Sequence, residues 1–205
     1  MRAGIPISAA VEGDIDEAVL RRIVACAGGT VGTVYGKKGR LYLQRKISAF
    51  NQAAQRWPWV VLADLDNDPR CAPLLVAEWL PSPAQHMCLR IAVREIESWL
   101  LADRERMAAF LSIPISRMPV SVEELDNPKG IVVSLAARSR RSEIRHDIFP
   151  RQGSGREVGP AYTSRMIEFV DNGDLGWRPE VAAERCQSLH RCLQSLDRLL
   201  EWHPS

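Results

Sequence analysis

The sequence of 205 residues lacks the features of several large protein classes. Its five cysteines form no CxxC pair and have no zinc-finger spacing with the four histidines. This pattern favours reduced thiols in the interior of a cytoplasmic protein. No apolar run approaches the roughly 18 residues that a membrane span needs. Acidic residues begin at Glu12, which makes the apolar start too short for a secretion signal. We therefore expect a cytoplasmic protein with no membrane partner.

Two families of catalytic motif are also missing. The sequence has no P-loop, and the stretch around Ser154 lacks the spacing of a GxSxG nucleophile elbow. The net charge is only +2, so the whole chain does not have the basicity typical of nucleic-acid binding. The charge is nevertheless uneven, because eight basic and three acidic residues lie between Lys129 and Arg165. Such a segment attracts phosphate, although a solvated arginine-rich surface would have the same composition.

The first half of the chain alternates strand and helix patterns. Strands separated by helices predict an α/β fold, in which a mostly parallel sheet has helices on both faces. Asp14 is a candidate N-cap for the first helix, and Pro69 is a candidate first residue for the helix after the third strand. The predicted strands cover residues 5–11, 30–35, 59–63 and 87–93, and the predicted helices begin near residues 14, 41, 69 and 95.

After Asp103 the pattern changes to short helical pieces punctuated by proline. Two longer helices are predicted at about 161–170 and 179–202, the second with leucines on one face. We divide the chain into an α/β core at 1–103 and a helical C-terminal extension at 104–205. The extension is expected to pack on the core as a cap within one structural domain.

Acidic side chains follow two of the predicted strands. Glu12 comes directly after the first strand, and Asp64 and Asp66 follow the buried third strand. The carboxyl ends of parallel strands share one edge of a sheet, so these acids are expected to converge. In an extended chain residues i and i+2 face the same side, which would let both aspartates hold one ion. Mg²⁺ or Mn²⁺ would neutralise the cluster. The alternative is a structural role at a turn or helix cap.

Five further residues are candidates for the same site. Glu97 is a candidate additional metal ligand, the alternative being an acid placed favourably near a helix N-terminus. The candidate phosphate-binding residues are Lys129, Arg151, Arg156 and Arg165. Tyr162 lies beside the basic segment, where it would either stack on a base or pack in the core.

These motifs resemble those of a known superfamily. Glu12-Gly13 with Asp16-Glu17, followed by Asp64-Leu65-Asp66, is similar to the Toprim domain of topoisomerases, primases and overcoming-lysogenization-defect nucleases. The resemblance implies that Glu12 acts in acid/base chemistry and that the aspartate pair binds magnesium. The segments at 94–103 and 177–191 are similar to those of a family of small, stand-alone bacterial Toprim-like proteins of unknown function.

The predicted function is metal-dependent phosphodiester chemistry on nucleic acid, as in a nuclease of phage defence or a toxin-like system. Glu12, Asp64 and Asp66 would be its catalytic residues. One alternative is a non-catalytic Toprim-like subunit that works beside a partner ATPase. Another is a haloacid-dehalogenase-like phosphatase with Asp64 as the nucleophile, since the strand before Asp64 resembles the one in that family.

Overall fold

A four-stranded parallel sheet forms the centre of the molecule in the computed structural model, which describes residues 6–201. The strand order is β2-β1-β3-β4, and helices flank the sheet, so the predicted α/β class is confirmed. Hydrogen bonding aligns Ala10 with Val61, and Val61 with Leu89, across three neighbouring strands. The strands are β1 (Ile7–Val11), β2 (Val31–Gly36), β3 (Trp59–Asp64) and β4 (Met87–Ala92).

The burial of each strand follows its place in the sheet. The first five residues of β3 are all buried, as expected for a strand with neighbours on both sides and helices on both faces. The edge strand β2 alternates buried or half-buried positions with exposed ones. β3 therefore carries the continuous apolar run that made it the clearest strand in the sequence.

Ten α-helices occupy the described residues. Two separate apolar clusters cover the two faces of the sheet: α2 and α3 contribute to the smaller one, and α1 with the C-terminal helices to the larger. The helices are α1 (Asp14–Cys26), α2 (Arg40–Ala53), α3 (Ala72–Trp79), α4 (Ile96–Ala102), α5 (Arg104–Leu111), α6 (Pro128–Ala136), α7 (Ser142–Ile148), α8 (Tyr162–Asp171), α9 (Pro179–Ala183) and α10 (Gln187–Leu200).

Three predicted helix limits are wrong. Gly13, with no side-chain cap, precedes α1, so Asp14 is its first residue and not its cap. The helix after β3 begins at Ala72, because Asp68 forms ion pairs with Arg40 and Arg70 and holds the intervening segment as a turn. The predicted helix at 179–202 is divided into α9 and α10. Its last position and the predicted strand start at Ile5 lie outside the described residues.

The C-terminal helices are fastened to the core by a set of polar contacts that we call the latch. Arg178 donates two hydrogen bonds to the buried carboxylate of Asp103, at 3.0 and 2.6 Å. The Trp177 indole N–H donates to the carbonyl of Trp99, and the Trp99 indole N–H donates to Ser188. The latch joins residues 94–103 to residues 177–191, which are the two segments that carry the narrower family resemblance.

The prediction that the cysteines are buried is only partly correct. All five cysteines are free, and three are buried, whereas Cys26 and Cys71 are exposed. The prediction that the thiols lie in the core is thus wrong for these two. Between residues 6 and 201, every helix is too short or too polar to serve as a membrane span.

Candidate functional site

The site lies where the order of the strands reverses. β2 pairs with one side of β1 and β3 with the other, and the crevice at the carboxyl ends of such strands is the usual ligand site of open α/β sheets. Glu12 directly follows β1, and Asp64 is the last residue of β3. Glu12 Oε1 accepts a hydrogen bond of 2.9 Å from the backbone N–H of Asp64. The predicted convergence of these acids is therefore present.

Asp64 is held in place by the first residue of α4. Its Oδ1 accepts a hydrogen bond of 2.9 Å from the backbone N–H of Ile96, at the start of α4. Burial raises the pKa of Asp64 well above its ordinary value, and the nearby charges of Asp16 and Glu97 raise it further. A pocket of about 340 Å³ is lined by all three of these carboxylates. We call it the acidic pocket.

Asp16 is a member of the site that our predicted set of site residues omitted. It lies on the buried side of α1, 7% exposed, and its Oδ1 is buried without a hydrogen-bond partner. Burial, followed by the charge of Glu12, raises the pKa of Asp16 to about 7. A Cβ atom at Gly13 would lie 3.2 Å from Asp16 Oδ2, so glycine leaves room for this carboxylate. A carboxylate on the apolar side of α1 was the available sequence signal.

Glu97, the candidate additional metal ligand, also lines the acidic pocket. It is 1% exposed, and its Oε1 accepts a hydrogen bond of 2.8 Å from the Tyr162 hydroxyl. The other oxygen, Oε2, is buried without a partner. Burial raises the pKa of Glu97, and it also raises the pKa of Tyr162, with the charge of Glu97 as the next cause. Tyr162 is 3% exposed, which in this arrangement excludes the base-stacking role considered above.

Lys129 supplies positive charge at the pocket. It is the second residue of α6, and its ammonium group lies 3.8 Å from Glu97 Oε1 and 3.7 Å from Glu95 Oε1. Burial alone would lower the pKa of Lys129, but the charges of Glu97 and Glu95 raise it overall. The lysine therefore stays protonated, and it lines the acidic pocket.

Asp66 does not share the orientation of Asp64. The extended chain ends at Asp64, and Asp66 has a left-handed conformation with φ of 51°. Its side chain is half exposed, and Oδ2 lies 3.6 Å from the guanidinium of Arg40. The expectation that the chain is extended from Asp64 to Asp66 is wrong, because the strand has already turned. Asp66 still lies near enough to raise the pKa values of Glu12 and Asp64.

Unusual backbone conformations are concentrated at this edge of the sheet. The described residues include four with positive φ that are not glycine, and three of them follow the ends of β2, β3 and β4: Lys37, Asp66 and Arg94. The N–H of Asp66 donates to the carbonyl of Arg94 at 2.7 Å, so two of these turns support each other. Backbone strain of this kind, about 1–3 kcal/mol per residue, is characteristic of functional sites.

The three arginines predicted to bind phosphate differ in availability. Arg165 is paired with both Asp147 and Glu168, so its guanidinium is occupied and does not fit the predicted role. Arg151 and Arg156 are exposed, form no ion pair within residues 6–201, and line a cavity of about 320 Å³. That cavity shares Val158 with the acidic pocket. Two of the three arginines thus lie beside the site.

The suitability of the pocket for a metal ion depends on side-chain rotation. Within residues 6–201, no group of three or more His, Cys, Asp or Glu side chains is arranged to hold an ion. Glu12 accepts a hydrogen bond from a backbone amide, Asp66 lies next to an arginine, and Glu97 accepts a hydrogen bond from a tyrosine. The donor set is nevertheless all oxygen, as Mg²⁺ prefers. One oxygen of Asp16 and one of Glu97 are also buried without a hydrogen-bond partner, which leaves acceptor capacity for a ligand.

Comparisons with known proteins do not extend this description. No protein-family model, no curated protein and no solved structure matches the chain.

Proposed function

We propose that the protein carries out metal-dependent phosphodiester chemistry on nucleic acid, most simply as a nuclease. One observation carries the proposal: two buried carboxylates, Asp16 and Glu97, each have an oxygen without a hydrogen-bond partner, and both residues line the same pocket as Asp64. Buried acids that serve only structure are satisfied by hydrogen bonds. Acids left unsatisfied and held near one another are suited to a cation that arrives with substrate.

The residues of the pocket have distinct roles in this proposal. Asp16, Asp64 and Glu97 would hold Mg²⁺ or Mn²⁺, with Asp66 joining after it leaves Arg40. A bound ion would supply polarisation of the phosphate and would make a coordinated water more acidic. Burial, the largest of several influences, raises the pKa of Glu12, which brings it closer to neutral pH, where a carboxylate exchanges protons most effectively. Lys129 would stabilise charge on the phosphate.

The surface beside the pocket supports nucleic acid as the substrate. Arg151 and Arg156 lie on the segment that leads to Glu157 and Val158 at the rim of the acidic pocket. Arginine binds phosphate with two parallel hydrogen bonds. A polynucleotide would place one phosphate in the pocket and a neighbouring phosphate at these arginines, which a small phosphate ester cannot do.

A cleavage assay with matched variants tests the proposal. Purified protein is incubated with single- and double-stranded DNA and RNA, with Mg²⁺, with Mn²⁺ and with a chelator. We expect cleavage only with metal, lost in Asp64→Asn and retained in Asp171→Asn, which removes an exposed acid at the end of α8. Equal cleavage by both variants would mean a contaminating nuclease and would refute the assignment.

Two other outcomes would favour the alternative functions. Metal binding without cleavage of any substrate would favour a non-catalytic Toprim-like subunit that works beside a partner ATPase. A phosphoaspartate trapped at Asp64 would favour the haloacid-dehalogenase-like phosphatase. The hydrogen bond from Ile96 N–H to Asp64 Oδ1 occupies one of the two oxygens that such a nucleophile would use.

A further inference from the structure

A groove follows the outer edge of β4, on the side of the molecule away from β2. It comprises an upper cavity of about 560 Å³ and a lower cavity of about 290 Å³, and both are lined by Arg90 and Val76. Helix α3 contributes Val76 to one wall, and α10 contributes Arg191 and Arg198 to the other. The floor is the edge of the strand itself. We call this feature the β4 groove.

The backbone of β4 faces the groove with unused hydrogen-bonding groups. Trp59 N–H donates to the His86 carbonyl and Leu65 N–H donates to the Ala92 carbonyl. In a parallel pair the residues alternate, so the even-numbered residues between them also face β3. The N–H and C=O groups of Leu89 and Ile91 therefore face outward, and within residues 6–201 they have no hydrogen-bond partner. Such an edge can accept a further strand.

The charge of the groove is positive. Arg90 has a buried Nε atom without a partner, and neither Arg90 nor Arg191 forms an ion pair with any residue in 6–201. Arg198 lies near the same thiol, Cys88, as Arg90. The acid in the lining, Glu123, is already occupied, since it accepts the backbone N–H groups of Gln187 and Ser188. An occupant with carboxylates would meet guanidinium groups that are ready to bind them.

We propose that the β4 groove binds an extended, acidic segment of another protein, which adds to the sheet as a fifth strand beside β4. The outward N–H and C=O groups of Leu89 and Ile91 would pair with its backbone. Alternate side chains of the segment would contact Arg90 and Arg191 on the α10 side and the apolar side chains of α3 on the other. A second copy of this chain does not fit, because its β4 would bring a second set of arginines to the first. This interaction does not depend on the proposed catalysis.

The test begins with a displayed library of random peptides of about ten residues, long enough to span a six-residue strand. The immobilised protein selects binders, which are then synthesised. We expect Asp or Glu at alternating positions, and slower hydrogen exchange at the amides of Leu89 and Ile91 when the peptide is bound. Methylation of alternate peptide nitrogens should weaken binding at least tenfold by fluorescence anisotropy, because it removes the ladder and leaves the charge unchanged.

Matched variants complete the test. Arg191→Glu and Arg198→Glu replace exposed residues of α10, and each should weaken binding of the selected peptide about tenfold. Arg45→Glu makes the same charge change on the exposed side of α2 and should leave affinity unchanged. Three results would overturn the proposal: no enrichment over a selection against the Arg191→Glu protein, protection at amides outside β4, or protection of Leu89 and Ile91 that rises with protein concentration without peptide. The last would identify a second copy as the occupant.

Discussion

The buried carboxylates of the latch and of the acidic pocket differ in how completely hydrogen bonds satisfy them. Asp103, with no exposed surface, accepts hydrogen bonds from the backbone N–H groups of Arg106 and Arg178 and from the Arg178 side chain. Asp16 and Glu97 are as deeply buried, yet each keeps an oxygen without a partner. Both arrangements lie on the same side of the sheet and share one apolar cluster. The hydrogen bonds of Asp103 hold the fold together, whereas we propose that Asp16 and Glu97 bind a ligand.

The contrast has a simple energetic basis. A buried charge is stable when a counter-ion and hydrogen bonds satisfy it, and the removal of one partner then leaves the other exposed to the full penalty of burial. A buried acid that lacks such partners either stays protonated or binds a cation. Substitutions should therefore affect stability in the latch and affect ligand binding and catalysis in the pocket.

The largest expected effect is on catalysis in the pocket. Asp16→Asn should lower the rate of nucleic-acid cleavage by about 1000-fold or more, equivalent to about 4 kcal/mol in the barrier, because it removes a metal-binding oxygen. The thermal midpoint should stay the same or rise, since an uncharged amide loses less on burial. Rate and unfolding are measured on the same preparation, with Asp171→Asn as the control. A fall in stability that matches the loss of rate would make Asp16 structural.

The next effect is on the stability of the latch. Asp103→Ala should lower the free energy of unfolding by about 3 kcal/mol, because it leaves the Arg178 guanidinium and two backbone N–H groups without their acceptor. Urea denaturation measures the change, and Asp171→Ala should shift it by less than about 0.5 kcal/mol. Metal affinity per folded molecule should be unchanged. An Asp103→Ala protein with normal stability but without metal binding would instead assign Asp103 to ligand binding.

The pH dependence of stability should distinguish the two regions. The pKa of Asp16 is raised to about 7 from 3.8, so the folded state holds a proton that the unfolded state has released. The contribution of Asp16 to stability should therefore fall by about 3 kcal/mol as the pH rises from 4 to 7. The fall should be smaller in Asp16→Asn, measured by urea titration at each pH. Millimolar Mg²⁺ should restore stability at pH 7.5 in the unsubstituted protein, since only the folded state offers the site.

The smallest effect concerns the hydrogen bond across the pocket. Tyr162→Phe removes the donor to Glu97 Oε1 and should lower stability by about 1 kcal/mol. Because this bond favours the charged form of Glu97, its loss should raise the pKa of Glu97 further and move the acidic limb of the cleavage profile to higher pH. An unchanged pH profile with the same loss of stability would assign Tyr162 to packing alone.

The elements of the sheet were predictable from local sequence, because each of the four strands has an apolar or β-branched run, and the first three runs end at a turn signal. The convergence of Glu12, Asp64 and Glu97 followed from the geometry of parallel strands, which needs no knowledge of distant contacts. The turn after Asp64 was not predictable. It depends on the pairing of Asp68 with Arg40, 28 residues earlier, and local propensity carries no information about such a contact.

The side chains that contact the acids, and those that pair with the arginines, could be identified only from the tertiary structure. Tyr162 reaches Glu97 across 65 residues of sequence, and Arg165 is occupied by Asp147 and Glu168 although it reads as one more free cation of a basic segment. Asp16 was the exception among the missed residues. It is the third residue of α1 and stands among apolar residues on that helix, which is a local pattern.

The contact between Tyr162 and Glu97 has a consequence for the order in which the protein matures during synthesis. The strands and the acids at their ends leave the ribosome well before α8, which carries Tyr162. The carboxylates of the nascent chain are therefore exposed until the helices that cover them have been synthesised. A truncated product that stops near Asp103 would retain Glu12, Asp64 and Glu97 but lack Lys129 and the helix opposite. Enclosure by late-emerging helices thus delays assembly of the full site until most of the polypeptide has been translated.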